Sequence, residues 1–303
     1  MPAQNPRKGY RGRFAPSPSG PLHFGSLLAA TASYLQAKQQ QGEWWLRIED
    51  IDPPREVKGA SQRIIDTLAL YGFEWDTLSY QSERLGLYQH YLDKLQQTAQ
   101  AYHCGCSRKE IQQFNQQQSA PAGLYPGTCR QGLNGKPARA IRIKITEPKQ
   151  TIHDAIQGTQ SKDLSQTSGD FIIKRADGLF SYQLAVAIDD STQEMTQIVR
   201  GCDLHESSFC QQYIQKSLGL RSPSYAHIPV VASPNGIKLS KRAAAQDIAT
   251  ESPQQILWLA LDILGQQPPA SLKTQNLKHL WQWGFTNWNL ANVPQAQSVL
   301  SPL

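Results

Sequence analysis

The stretch Arg13–Ser26, RFAPSPSGPLHFGS, places a histidine in a turn that runs into a helical pattern. Pro16, Pro18, Gly20 and Pro21 forbid regular structure, and Leu27, Leu28, Ala32 and Leu35 then recur at helical spacing. A tight turn before a helix start is the outline of a phosphate site. Backbone can approach the ligand closely there, and the free N–H groups of the first turn favour negative charge. His23 adds a side-chain donor at that point, with Gly25 and Ser26 behind it. A second cationic group, Lys238-Leu239-Ser240-Lys241-Arg242, follows the turn-forming Pro234-Asn235-Gly236. Donors on two sides of a polyphosphate stabilise charge that grows on phosphorus oxygens, and losing one typically costs about 10²–10³ in rate. The chain shows no paired carboxylates and no Ser/His arrangement, so positioning and charge stabilisation carry the chemistry rather than proton transfer.

Cys104, Cys106 and Cys129 form a separate constellation with Tyr125. Three thiolates so close in sequence, in a reducing compartment, suit Zn²⁺, which takes four tetrahedral ligands. The spacing leaves the fourth ligand open between His103, beside the first cysteine, and Tyr125. A closed site of this kind is structural. Cys202 and Cys210 lack metal spacing and read as core residues.

These residues need a scaffold. Tyr10–Ala15 reads as a short buried strand, Gly25–Gln39 as a helix and Glu43–Glu49 as a second strand closing on Arg47-Ile48-Glu49-Asp50-Ile51-Asp52. Lys58–Tyr71 is an amphipathic helix ended by Gly72, and Arg84–Gln100 is another, with Leu85, Tyr88, Leu92 and Leu95 inward. This strand–helix alternation predicts an α/β fold with a parallel sheet of the Rossmann type. Residues 101–150 interrupt it as an insertion containing the cysteines, with a capping-box helix start at Ser107-x-x-Glu110. Within it, Ala140–Ile145 alternates isoleucines with Arg142 and Lys144, which predicts a half-exposed strand with a basic outer face. Residues 151–242 resume the sheet, with a strand at Thr196–Arg200, a helix at Asp203–Leu218 and a last strand at Tyr225–Val231 leading to the lysine loop. Residues 243–303 hold helices at Pro253–Leu264 and Leu272–Trp283 and end in a polar tail.

The totals agree with this division. The 303 residues allow about two domains and a real core. No apolar run of spanning length and no signal peptide are visible, so a soluble cytoplasmic protein without membrane contact is expected. The net charge of +6 suits a polyanionic partner. With the core assigned, no long apolar face is left over, which predicts a monomer.

PSPSGPLHFGS, RIEDID and KLSKR, in that order, resemble the catalytic domain of the class I glutamyl-tRNA synthetases, with HFGS in place of the HIGH motif and KLSKR in place of KMSKS. The resemblance runs from about Arg13 to about Ile248. It implies in-line attack of a carboxylate on the α-phosphate of Mg-ATP, with His23, Lys238 and Lys241 as catalytic donors. His23, Gly25, Ser26 and Lys241 would bind the nucleotide. It further implies that Arg13, Ala15 and Ser17 line an L-glutamate pocket, that Glu49 holds the substrate ammonium, and that Tyr182 and Arg200 complete the side-chain site. Arginine suits a carboxylate because its planar fork pairs with both oxygens. Residues 243–303 are too few for both the stem-contact and anticodon-binding regions of the longer enzymes. With the Cys-x-Cys…Tyr-x-x-x-Cys insertion, the chain looks like their truncated bacterial paralogues, the glutamyl-queuosine tRNA(Asp) synthetases. That likeness implies a structural Zn²⁺ on Cys104, Cys106, Tyr125 and Cys129, and transfer of glutamate to the queuosine base at the wobble position of tRNA(Asp). Arg139, Arg142 and Lys144 would guide the anticodon loop. The competing expectations are a minimal enzyme that charges the 3′ end of tRNA(Glu), and a non-catalytic paralogue that binds tRNA or an adenylate.

Overall fold

The computed structural model describes residues 9–232 and 247–300, and Lys238 and Lys241 lie outside them. The chain opens with β1 (Arg11–Phe14), α1 (Phe24–Gln39), β2 (Glu43–Ile48), α2 (Ala60–Leu70), β3 (Thr77–Tyr80) and α3 (Leu85–Gln97). Next come β4 (Ala101–Cys104), α4 (Arg108–Gln117), β5 (Ala140–Ile143), β6 (Lys149–Asp154), β7 (Gly158–Asp163), the single turn α5 (Leu164–Thr167) and β8 (Ile172–Lys174). The last part holds α6 (Tyr182–Thr192), β9 (Gln197–Gly201), α7 (His205–Leu218), β10 (Ser224–Ile228), β11 (Val230–Ala232), α8 (Pro253–Ile263), α9 (Leu277–Asn287) and β12 (Ser298–Leu300).

β1, β2 and β3 pair in parallel, and so do β9, β10 and β6, with β7 added antiparallel at the edge. The two sets meet at β1 and β9, where Thr196 N donates to Arg11 O at 2.9 Å and Arg11 N donates to Thr196 Oγ1 at 2.9 Å. Across this join the order is β3-β2-β1-β9-β10-β6, the doubly wound arrangement that places ligands at the carboxyl ends of the strands where the order reverses. The reversal falls between β1 and β9.

α1 is sandwiched, which explains its composition. Ala30, Ala32, Ala37, Leu27, Leu28 and Leu35 are all buried, in one cluster with Trp44, Leu46 and Ile48 of β2 and with Leu257, Leu261 and Leu280 of α8 and α9. The C-terminal helices thus complete the core of the parallel sheet. No helix among the described residues is long and apolar enough to cross a membrane.

Several expectations change. The cysteine-bearing sheet is antiparallel, in the order β4-β5-β8, so it takes its third strand from beyond residue 150 while β6 already belongs to the large sheet. The strand expected at Tyr225–Val231 divides at Pro229, which has no N–H to continue a ladder. β11 then pairs in parallel with β12, which lies in the segment read as a polar tail. Leu85 faces outward at 46% exposure, because the face of α3 that packs inward is set by Tyr88, Leu92 and Leu95. Arg142 does not lie on a basic outer face. β5 is the middle strand of its sheet, and Ile141, Arg142 and Ile143 are all buried.

Trp44 is the largest wholly buried side chain under the sheet, stacked 5.5 Å from Phe73, edge-on at 5.0 Å to Tyr34 and donating to Ser33 Oγ at 3.0 Å. Trp44→Ala is expected to lower the unfolding free energy by about 3–5 kcal/mol. Urea denaturation followed by far-ultraviolet circular dichroism will report it as a lower midpoint with little change in slope.

Candidate active site and candidate metal centre

A cavity of about 510 Å³ opens at the point where the strand order reverses. Arg13, Ala15 and Ser17 reach it from the end of β1, His23, Gly25 and Ser26 from the start of α1, Tyr182 from the start of α6 and Arg200 from the end of β9. Eight of the residues singled out in the sequence therefore share one cleft. Glu49 does not line it. Its backbone N–H donates to Pro16 O at 3.0 Å, and its carboxylate is buried behind the wall.

His23 caps α1 in extended conformation, with φ −113° and ψ 170°. Its Nδ1 accepts from Ser26 N at 3.3 Å, which puts the ring proton on Nε2, 3.1 Å from Ser26 Oγ. Burial pushes the His23 pKa below its ordinary value against the opposing charge of Asp203. The result is a neutral donor at a helix start. Gly25 makes room for the ring, since a Cβ there would sit 3.2 Å from two imidazole atoms. Ser26, where the related motif has a histidine, is small enough to leave the first turn open.

Beneath the cavity lies a buried ionic cluster. Arg13 donates from Nε and Nη2 to Asp190 Oδ1 and Oδ2 at 3.2 and 3.1 Å. Arg47, entirely buried, donates from Nη2 to Asp190 Oδ1 at 2.7 Å and from Nη1 to Gln193 Oε1 at 2.8 Å. The same Nη2 lies 3.4 Å from Glu49 Oε1. Burial alone would raise the Asp190 carboxyl, but Arg13 and Arg47 hold it at about 2. Glu49 is pushed the other way, up to about 7, because burial outweighs the pull of Arg47 and Arg13, and Asp190 and Asp189 add repulsion.

Arg200 differs from both of these arginines. It is buried, yet among the described residues no carboxylate forms an ion pair with it. Its partners are His227 Nε2 at 3.2 Å, Ser208 Oγ at 2.6 Å, Gln211 Oε1 at 2.8 Å and Leu204 O at 3.3 Å. Tyr182 OH, the partner facing the cavity, is 3.5 Å from Nη1. A buried guanidinium without an anion is costly unless a ligand supplies one.

Sequence reasoning missed Arg47 as a structural cation and missed Asp190, Asp154 and His227 altogether. The available signals were single polar residues in apolar runs: Arg47 in WWLRI, Asp189-Asp190 closing LAVAIDD and His227 in YAHIP.

The cysteines also converge. One sulfur from each of Cys104, Cys106 and Cys129 lies within 4.8 Å of the others. Tyr125 OH lies among them, 3.3 Å from Cys104 Sγ and 3.8 Å from Cys106 Sγ, and accepts from Cys129 N at 3.0 Å. His103 points the other way on β4, toward Gln96 at 3.2 Å. Arg142 stacks 3.7 Å over the Tyr125 ring and donates from Nε to Cys104 Sγ at 3.2 Å, which offsets negative charge on such a donor set. Three thiols and one phenol hydroxyl make four converging donors, the number Zn²⁺ takes, and the three thiols are of the type it prefers.

The family model described as tRNA synthetases class I (E and Q), catalytic domain, matches residues 10–256. A protein of Dechloromonas aromatica called Glutamyl-Q tRNA(Asp) synthetase is 46% identical over 97% of this chain and 98% of its own length. One of the same description from Chromobacterium violaceum is 47% identical over 94% of this chain and 95% of its own. Among solved structures, the glutamate tRNA ligase of Elizabethkingia meningosepticum in complex with its amino acid superimposes with a TM-score of 0.79 at 25% identity, covering 95% of this chain and 66% of that one. The glutamate-tRNA synthetase of Elizabethkingia anophelis gives 0.81 at 25% identity, covering 97% and 68%. A cleft at the sheet's switch point, a capping histidine and a match that spans most of the chain agree: this chain is a class I tRNA-synthetase-type ligase and belongs to the glutamyl-Q tRNA(Asp) synthetase family.

Proposed function

We propose that this chain activates L-glutamate with Mg-ATP and transfers the glutamyl group to the queuosine base at the wobble position of tRNA(Asp). The observation that carries the first half is Arg200, a buried cation that lines the cavity and whose hydrogen-bond partners among the described residues are all neutral. A substrate side-chain carboxylate is the missing anion. In the first step an oxygen of the substrate's α-carboxylate attacks the α-phosphorus of ATP and pyrophosphate leaves. His23 and the N–H groups at the start of α1 face the developing phosphate charge, and Lys238 and Lys241, outside the described residues, complete the donor set. Arg13, Ala15 and Ser17 shape the amino-acid end, Glu49 acts on the substrate ammonium through its charge from behind the cavity wall, and Tyr182 with Arg200 receives the side chain. In the second step a queuosine hydroxyl attacks the activated carbonyl, AMP leaves, and the hydroxyl proton passes to solvent.

The queuosine half is supported by relatives matched over nearly their whole length and called Glutamyl-Q tRNA(Asp) synthetases. Charging of tRNA(Asp) with and without queuosine, followed by mapping of the labelled nucleotide, is the test. Label confined to the queuosine-containing tRNA, at the anticodon, is the expected result. Equal charging of both, or label at the 3′ end, overturns the proposal in favour of an ordinary acceptor-end synthetase.

The state of Glu49 makes glutamate use depend on pH. In the free enzyme its carboxyl titrates near about 7 and is neutral below that. Binding of an ammonium needs the ionised form, so kcat/KM for glutamate should fall as pH drops below about 7, approaching tenfold per pH unit. Glu49→Gln should lose that acid limb and reduce kcat/KM at pH 8 by about 10–100-fold. An unchanged pH profile in the variant refutes the role.

We also propose that Cys104, Cys106 and Cys129, with Tyr125 as fourth ligand, hold Zn²⁺. Bound there, the ion cross-links β4 to the segment after α4 and takes no part in the reaction. One zinc per chain is expected by elemental analysis. Tyr125→Phe should release it to a chromogenic chelator about tenfold more readily, whereas His103→Ala should not change release. Equal retention in wild type and Tyr125→Phe excludes the phenol as a ligand.

A further inference from the structure

We infer that His227, oriented by Asp154, is a positioning residue that aims Arg200 at the substrate while leaving its charge uncancelled; this rests on the reading of Arg200 as the guanidinium for the substrate side chain. The three residues form a row across adjacent parallel strands. Asp154 ends β6, His227 is on β10, and Arg200 is the register partner of His227 on β9. Asp154 holds His227 by both its backbone N–H and its ring. Its oxygens accept from His227 N at 3.1 Å each, and Oδ2 accepts the ring Nδ1–H at 2.6 Å. With the proton on Nδ1, Nε2 presents a lone pair, and Arg200 Nε donates to it at 3.2 Å. Burial, together with the Arg200 charge, holds the imidazole pKa near about 4 despite Asp154, so the ring is neutral where the enzyme operates.

The other edges of the guanidinium are also assigned. Nη2 donates to Ser208 Oγ, Gln211 Oε1 and Leu204 O. Among the described residues Nη1 has Tyr182 OH as its one hydrogen-bond partner, at 3.5 Å, and Tyr182 and Arg200 both line the cavity. Its orientation is therefore determined by three neutral oxygens and one neutral ring, and one edge remains for a ligand. Arg13 and Arg47 show the alternative, because Asp190 pairs directly with both, and Asp189 and Glu49 stand beside Arg47 as further acids. A carboxylate placed directly on Arg200 would compete with the substrate. An imidazole between Asp154 and Arg200 supplies direction without an anion within reach of the ligand edge.

Asp154, His205 and His227 also have donor atoms within 4.8 Å of one another, the spacing of a metal set. Arg200 Nε at 3.2 Å and Ser208 Oγ at 3.1 Å share the Nε2 lone pair of His227, and the guanidinium would face any cation placed there, so the geometry favours anion positioning over metal binding.

The test is pyrophosphate exchange with tRNA present, varying glutamate and ATP independently. The wild-type chain must first show glutamate-dependent exchange; if it shows none, the functional reading fails, whatever the variants do. Given exchange, His227→Leu removes the acceptor and should raise KM for glutamate about 10–100-fold, with KM for ATP within about twofold. His227→Gln, whose amide can both donate to Asp154 and accept from Arg200, should recover most of the loss. Asp154→Asn keeps the packing while weakening the orientation, and should raise the same KM about threefold to tenfold. It carries the test alone if the leucine variant does not fold. An unchanged glutamate KM in His227→Leu, or in Asp154→Asn where that variant stands alone, refutes the inference. So does an ATP KM that rises in step with it, or a glutamine variant as impaired as the leucine one.

Discussion

One carboxylate, Asp190, holds two buried guanidiniums from neighbouring parallel strands. Arg13 comes from β1, Arg47 from β2, and Asp190 from α6, which packs across them. Removing one partner of such a pair leaves a charge without compensation in low dielectric, at a cost of about 3–5 kcal/mol. The network continues outward through Asp189, which accepts from Gln81, Arg84 and Tyr88 and so ties α3 to the same floor. The carboxyl ends of β1 and β2 are thereby fixed relative to α6, and the cavity inherits its shape from that. Hydrophobic burial folds the sheet, but this cluster determines where its strand ends stand.

Much of the scaffold was readable from pattern alone, because alternation of strands and helices and the Pro/Gly turn before His23 are local signals. The cavity gathers Arg13, Ala15, Ser17, His23, Gly25, Ser26, Tyr182 and Arg200 as the motif resemblance implied. The ion cluster was not readable. Arg47 and Asp190 are 143 positions apart, and nothing local to WWLRI says whether its arginine snorkels to water or meets a buried acid. Pro229 was a visible break, yet the partner that makes β11 a strand is Ser298–Leu300, a tail whose composition carries no strand signal.

The cysteine-bearing sheet shows how a correct period can give a wrong face. Alternation in β5 separates Arg142 from Ile141 and Ile143, and an isolated strand with that pattern would turn its arginine to water. β5 has a strand on each side and a layer on both faces. Its arginine is covered by Tyr125 and held by Cys104 Sγ and Asp170 O. The same rule of alternation separates the two candidates beside the cysteines. Adjacent residues on β4 point oppositely, so the strand that buries Cys104 turns His103 outward and leaves Tyr125 among the sulfurs.

The treatment of buried cations separates structure from recognition in this molecule. Arg13 and Arg47 share Asp190, with Asp189 and Glu49 also beside Arg47, so both arginines have carboxylate partners from the fold itself. Arg200 lies in an equally buried position with oxygens and an imidazole around it and, among the described residues, no carboxylate paired with it. On the proposed reading of Arg200 as the receiver of the substrate side chain, discrimination between glutamate and glutamine follows from charge more than from shape. The two side chains are nearly isosteric, but an amide on Arg200 leaves the guanidinium buried without an anion, whereas a carboxylate completes a pair that the fold has prepared. A site whose orienting groups are all neutral can show that preference, and a site with its own carboxylate on the arginine cannot.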